Sequence, residues 1–177
     1  VTLGELPEQL KEPQLVAEWD RLVAINWFHD LMLDKLDKAR SIFENSDFNS
    51  YEGPDNPEPL VITSGTGWFY SQEAIDILNL NERVGLLKLG CTWPLPQEFL
   101  LKHLRQTKKV LIVEEIDPFL EQNVSSIIGH NPNIQVEISG RSEGKAFPRI
   151  GELNPDLVRN AIAGMMQVSY EAPTSIA

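Results

Sequence analysis

A glycine-containing segment, residues 63–68, is the first place where the residue types could do chemistry. It follows a short run of aliphatic residues typical of a buried strand, so we expect it to join that strand to a helix. Backbone amides in such a turn can bind an anion. The candidate anion-binding residues are Ser64, Gly65, Thr66 and Gly67. The segment lacks the third glycine of a dinucleotide-binding fingerprint and the lysine of a P-loop, which favours a plain tight turn.

An acidic run after the clearest predicted strand is the second candidate, with Glu114, Glu115 and Asp117 close together. Two carboxylates at a strand end could act as acid and base if burial raised the pKa of one of them. No histidine or nucleophile is near them in sequence, and Asp117 before Pro118 is typical of a helix N-cap. We therefore interpret Glu114 and Glu115 as interdomain carboxylates and predict no catalytic residue.

The single cysteine, Cys91, and three dispersed histidines offer no metal centre. One thiol cannot form an internal disulfide and is too few for an iron–sulfur cluster or a zinc site. We expect Cys91 to be a small buried thiol in a protein of the reducing cytoplasm. His29, His103 and His130 do not have a spacing typical of metal ligands, so the sequence predicts no metal site.

The charge balance excludes whole classes of partner. The chain has 26 acidic and 15 basic side chains, a net charge of −11, which repels nucleic-acid phosphates and anionic lipids. Its 177 residues contain no apolar run of about 18 residues, the length that a membrane-spanning helix needs. We therefore expect neither nucleic acid nor membrane as a partner, and no signal peptide.

Alternating strand and helix patterns begin at residue 60 and position both candidate segments at strand ends. The predicted strands are residues 60–64, 84–89 and 109–114, and the predicted helices are residues 71–78, 97–105, 117–128 and 155–166. Residues 134–138 alternate apolar and polar side chains, which predicts a one-sided edge strand whose direction stays open. The pattern predicts a three-layer α/β domain with an open, mostly parallel sheet.

A long amphipathic helix over residues 12–45 precedes this domain, with apolar residues three and four positions apart. Its stripe shifts between Leu22 and Phe28, which allows a break there. Because such an arm exceeds a compact core, we expect Trp19, Trp27 and Phe28 to drive dimerisation. The predicted division is a helical arm (1–45), a turn-rich linker (46–59), the α/β domain (60–168) and a linker tail (169–177).

Four blocks, in this order along the chain, carry a family resemblance. They are residues 61–65 followed by Tyr70, residues 87–90 followed by Thr92 and residues 94–96, residues 113–121, and residues 144–145 followed by 148–155. Together they resemble the alpha subunit of indolepyruvate ferredoxin oxidoreductases, which depend on thiamine diphosphate. The resemblance covers most of the chain and implies the transketolase C-terminal-like domain of that subunit.

The resemblance also implies a reaction and its participants. In the family, 2-oxoacids such as arylpyruvates are oxidatively decarboxylated to acyl-coenzyme A. The parent enzyme would use thiamine diphosphate, magnesium and 4Fe–4S clusters, with coenzyme A as a substrate. Its partners would be further domains of the same chain, a beta subunit and ferredoxin. The present chain lacks the Gly-Asp-Gly motif and cysteine clusters of that machinery, so we expect an interface domain that binds no cofactor and is inactive alone.

Two alternatives stay open from the sequence. The first is a free-standing α/β module that binds an anion, a nucleotide or coenzyme A at residues 64–67. The second is a domain that handles coenzyme A in a related pyruvate-type oxidoreductase.

Overall fold

The computed structural model describes residues 18–144 and 146–170, without the side chains of residues 18–24 and 143. The chain divides into two compact units, and the boundary along the sequence falls between Ile42 and Phe43. Most of the predicted tail and the start of the predicted arm lie outside the described residues, and the division into four parts stays a prediction.

Helix α1 (Glu18–Glu44) accounts for the described part of the first unit. Its 27 residues correspond to about 40 Å, and it runs without the break that the sequence allowed. The rings of Trp27 and Phe28 meet edge-on at 4.9 Å between centroids. Several large apolar side chains of this helix are exposed: Ile25, Phe28, Met32, Leu33 and Ile42.

The second unit is built on a five-stranded sheet with the order β1-β3-β2-β4-β5. Its strands are β1 (Ser50–Glu52), β2 (Pro59–Thr63), β3 (Gly85–Lys88), β4 (Lys109–Val113) and β5 (Glu137–Ser139). The four strands from β2 to β5 are parallel, and only β1 runs antiparallel, against β3. In the centre of the sheet Ile62 is in register with Leu87 and Ile112. The predicted open, mostly parallel sheet is confirmed.

Helices cover both faces of the sheet, which makes three layers. They are α2 (Thr66–Ile77), α3 (Gln97–Leu104), α4 (Phe119–Gly129) and α5 (Pro155–Met166). Because side chains alternate along a strand, Leu60 and Ile62 face α3 and α4, whereas Val61 faces α2 and α5. All three side chains are fully buried, as the β-branched and aliphatic run predicted.

Two parts of the sheet differ from the sequence pattern. Strand β1 lies inside residues 46–59, where the prolines and the glycine predicted only turns. A strand fits there because it is short and pairs along an edge of the sheet. The last strand, β5, is parallel to β4 and begins at Glu137, three residues later than predicted.

Helix α2 also begins earlier than predicted, at Thr66 instead of residue 71. Its first turn contains Gly67 and the aromatic residues Trp68 and Phe69, whose low helix propensity hid the start of the helix. Packing of α2 against both the sheet and α5 overrides that local preference. Among the residues that the structure describes, no helix is long and apolar enough to cross a membrane.

Candidate functional site

The two segments that the sequence singled out meet at the carboxyl edge of the sheet. The turn at residues 64–67 follows β2, and the acidic run 114–117 follows the adjacent strand β4. The first leads to α2 on one face and the second to α4 on the other, so the crevice between them lies at the topological switch point. In open α/β sheets this is the usual position of a binding site.

We call this crevice the switch-point groove. Its lining residues are Ser64, Gly65, Thr66, Thr92, Glu114, Glu115, Ile116, Asp117, Phe119 and Leu120. The groove therefore combines three of the four predicted anion-binding residues with all three carboxylates of the acidic run.

Both glycines of the turn are required by the local structure, Gly65 by its backbone conformation and Gly67 by close packing. Gly65 has a φ of +58°, a conformation that side-chain-bearing residues rarely adopt. At Gly67 an added Cβ would clash with Thr63 Oγ1 and lie 3.1 Å from the carbonyl oxygen of Val113. Thr63 Oγ1 itself donates to that carbonyl at 2.8 Å. The glycines thus allow the first turn of α2 to lie against β4, in agreement with the tight-turn interpretation.

Glu115 ties the two sides of the groove together. Its Oε1 accepts a hydrogen bond from Thr66 Oγ1 at 2.9 Å, and its Oε2 accepts one from the Leu153 amide at 3.3 Å. The carboxylate thereby joins the loop after β4 to the start of α2 and to the segment before α5. It also places negative charge beside the turn that was predicted to bind an anion.

Glu114 caps helix α4 from inside the domain. Its two carboxylate oxygens accept from the amides of Leu120 at 2.6 Å and Glu121 at 2.9 Å. Burial raises the pKa of Glu114 above its ordinary value, and the two amide hydrogen bonds oppose that rise. The sequence assigned the cap to Asp117, and that assignment is wrong: the helix begins at Phe119, and Asp117 contributes its backbone carbonyl, which accepts from the Phe119 amide.

A buried arginine supports the same loop, and sequence reasoning missed it. Arg141 donates from Nε to the carbonyl oxygen of Glu114 at 3.2 Å and from Nη1 to that of Pro148 at 2.9 Å. Next to it, Glu121 accepts from the Ser142 amide at 3.0 Å. Neither residue is part of a recognisable motif, because the bonds from Arg141 to Glu114 and from Ser142 to Glu121 join positions more than 20 residues apart.

The rim of the groove is apolar and open to solvent. Trp93, Ile116 and Phe119 are 58%, 67% and 47% exposed, and the rings of Trp93 and Phe119 lie 6.3 Å apart. Ile116 has a φ of +53°, which is strained for a β-branched residue. No sequence signal marks this rim, because exposure of an aromatic or aliphatic side chain is decided by the fold.

The donor atoms in this part of the chain do not fit a metal or an iron–sulfur cluster. Among the side chains that the structure describes (residues 25–142, 144 and 146–170), no three His, Cys, Asp or Glu are close enough to hold a metal ion together. Cys91 is partly exposed, where a buried thiol was predicted, and a cluster needs about four thiolates. The three histidines are also on three different helices or helix ends, as His29 is on α1, His103 on α3 and His130 at the end of α4.

The fold and the groove define an α/β domain with helices on both faces and an acidic, apolar-rimmed crevice at its switch point. A solved structure with a similar fold is that of the 2-oxoglutarate:ferredoxin oxidoreductase from Magnetococcus marinus with 2-oxoglutarate, coenzyme A and succinyl-CoA bound. The TM-score is 0.56 at 20% sequence identity, over 78% of this chain and 23% of that chain, which shows the fold alone.

Sequence comparison gives the particular relatives. The chain is 34% identical, over 92% of its length, to indolepyruvate oxidoreductase subunit IorA from Pyrococcus abyssi, and covers 26% of that protein. It is 32% identical over its whole length to the subunit of the same name from Thermococcus kodakarensis, of which it covers 28%. The subunit from Methanothermobacter thermautotrophicus is 33% identical over 77% of this chain. No protein-family model matches.

These matches confirm the predicted resemblance: the chain is a relative of one segment of indolepyruvate oxidoreductase subunit IorA. It spans about a quarter of the length of these curated relatives. The relatives are named as subunits, so the similarity concerns a part of a multi-component oxidoreductase.

Proposed function

We propose that this chain is a supporting, non-catalytic domain of a thiamine-diphosphate-dependent 2-oxoacid:ferredoxin oxidoreductase that acts on arylpyruvates such as indolepyruvate. The observation that carries the proposal is the alignment of 92% of the chain with a subunit named for indolepyruvate oxidation. The product would be an acyl-coenzyme A, and the enzyme would act in the cytoplasm with a beta subunit and ferredoxin as partners.

The cofactors of such an enzyme would be held outside this segment. Thiamine diphosphate with magnesium supplies the carbanion chemistry of 2-oxoacid decarboxylation, and 4Fe–4S clusters carry the electrons. Among the described side chains, no three His, Cys, Asp or Glu lie close enough together to hold a metal ion. We therefore assign those groups to other domains of the enzyme and derive no chemical step from the residues described here.

The contribution of this chain would be a rigid surface at its carboxyl edge. Glu115 joins the two loops of the switch-point groove, and Glu114 fixes the start of α4 beside them. Arg141 donates a hydrogen bond to the backbone carbonyl oxygen of Glu114. A loop restrained by three such side chains can present the apolar rim in a fixed geometry to a neighbouring domain, which is the role we propose for the predicted interdomain carboxylates.

The substrate class is tested on the complete enzyme that contains this segment. Coenzyme A-dependent reduction of ferredoxin is measured with indolepyruvate, phenylpyruvate, pyruvate and 2-oxoglutarate. We expect the highest kcat/KM with the two arylpyruvates. Oxidation of pyruvate or 2-oxoglutarate in preference to both arylpyruvates would contradict the proposed substrate class, and no turnover of any 2-oxoacid would contradict the proposed reaction.

The alternative of an anion-binding or coenzyme A-binding turn has one observation in its favour, since α2 starts at the groove without a side-chain cap. The carboxylate of Glu115 opposes it, because it already holds Thr66 and repels a phosphate. A titration followed by amide NMR distinguishes the two. Shifts confined to residues 64–67 on addition of phosphate or coenzyme A would support the binding turn, whereas no shift at millimolar ligand would exclude it.

A further inference from the structure

We propose that the switch-point groove is the docking site for a segment of a neighbouring domain of the same enzyme, and that this segment carries a lysine or arginine flanked by apolar residues. The inference rests on the proposed function, because it needs a neighbouring domain. It adds the face of the chain that is used and the chemistry of the segment that is received.

The exposed apolar rim shows that the groove is made for a surface contact. Trp93 and Phe119 lie against each other beside the groove with about half of each side chain exposed. Ile116 is two-thirds exposed between the groove and a second cleft lined by Arg141 and Arg149. Clusters of large apolar side chains on a surface mark sites of association, since their burial releases about 25 cal/mol for each Å².

The backbone at Ile116 gives an independent sign of function. Its φ of +53° is unfavourable for a β-branched side chain. The strain is sustained by Glu114 and Glu115, whose side chains anchor the residues on its amino side. The loop holds an isoleucine out towards solvent, where the domain alone gains nothing from it.

The charge of the groove selects the partner. Glu115 and Asp117 are exposed at the groove, and none of the described residues that line it is basic. From the residues that the structure describes, each oxygen of Glu115 accepts a single hydrogen bond, whereas a carboxylate has about four acceptor positions. The groove therefore offers free acceptors for an ammonium or guanidinium group, next to apolar surface for its neighbours.

The same charge argues against a second copy of this chain in the groove. A symmetric contact would bring two sets of Glu115 and Asp117 together, and like charges facing each other across an interface are costly. Small anions are disfavoured for the same reason. A different domain that brings a positive charge fits the groove better than either.

Site-specific photo-cross-linking in the complete enzyme tests the proposal. Benzoylphenylalanine replaces Phe119 at the groove or, as a matched control, Ile77, which is 46% exposed at the far end of α2. After irradiation, cross-linked peptides are identified by mass spectrometry. We expect the Phe119 position to cross-link to a peptide outside this segment that contains a lysine or arginine beside apolar residues, and the Ile77 position not to reach that peptide.

Charge reversal then tests the electrostatic part. In the cross-linking enzyme, Asp117→Lys should lower the yield at position 119 about tenfold, which corresponds to about 1.4 kcal/mol. Asp76→Lys, at an aspartate on α2 that is also exposed, should leave it unchanged. Cross-links only to a second copy, no cross-link at all, or equal effects of the two reversals would overturn the proposal. Because 2-oxoacid turnover is measured separately, such a result would leave the proposed function intact.

Discussion

At the scale of single residues, the site is organised by carboxylates that bind backbone amides. Glu114 replaces the cap that the sequence assigned to Asp117, and it does so from five residues before the helix. A cap this far from its helix has no local signature, because it depends on the direction in which the loop leaves β4. By contrast, Asn154, immediately before α5, caps that helix by accepting a hydrogen bond from the Leu157 amide at 2.9 Å.

The cap gives a direct prediction for Glu114. The Glu114→Ala substitution leaves two amides of α4 without an acceptor, so we expect the free energy of unfolding to fall by about 1–2 kcal/mol. Glu114→Gln keeps one acceptor oxygen and should lose less. Urea denaturation of the parent chain and of both Glu114 variants checks this, with Glu137→Ala, a substitution at an exposed residue, as a control. Equal stabilities of the Glu114→Ala and Glu137→Ala variants would show that the cap contributes nothing.

His103 predicts how stability depends on pH. The ring is buried between Tyr51, at 4.2 Å between ring centroids, and Phe99, at 5.1 Å. Burial lowers the pKa of His103, and the charge of Lys102 lowers it further. The folded state thus binds the proton more weakly than the unfolded state, whose histidine titrates near pH 6.5. Stability is therefore fully present above pH 6.5 and falls as the pH drops below it.

Measured between about pH 5 and 8, the free energy of unfolding should fall by up to about 1.4 kcal/mol for each pH unit below 6.5. The His103→Leu variant removes the titrating ring and should lose this part of the slope. A variant that keeps the full slope would place the titration at another residue.

At the scale of the elements, the turn after β2, where the sequence suggested an anion-binding site, shows that glycine can be required by packing. Gly67 allows α2 to approach β4, whereas Gly164, in the last turn of α5, has no atom within 4 Å of an added Cβ. The same residue type thus has a packing role at one position and none at the other. The two sites form a matched pair.

We expect Gly67→Ala to destabilise the domain by about 1–3 kcal/mol, because the new methyl group meets Thr63 and Val113. We expect Gly164→Ala to stabilise it by about 0.5–1 kcal/mol, because alanine restricts the unfolded chain and favours helix. Thermal unfolding of both variants is sufficient. A Gly67→Ala protein as stable as the parent would contradict the close packing of the turn at Gly67.

Much of the element order could be predicted from sequence. The buried strands β2 and β4 are recognisable in the sequence as continuous aliphatic runs. Helix α5 is recognisable by its capping residue and its proline. Strand β1 could not be found, since three residues that pair along one edge have no periodicity to detect. That the turn and the acidic run are adjacent depends on the strand order, and their joining by Glu115 depends on side-chain directions; both come from the structure.

At the scale of the molecule, helix α1 exposes several large apolar side chains. Ile25, Phe28 and Met32 are each about half exposed or more. If this stripe drives dimerisation, the isolated chain should sediment as a dimer at micromolar concentration, and Phe28→Asp should shift it to a monomer. A parent chain that sediments as a monomer would contradict the prediction.

The central claim is that this domain supports a thiamine-dependent enzyme without binding its cofactor. Calorimetric titration with thiamine diphosphate and magnesium, performed side by side on this chain and on the complete enzyme, tests it most directly. We predict saturable binding by the complete enzyme and no heat of binding with the chain alone. Binding of equal affinity to the chain alone would contradict the claim.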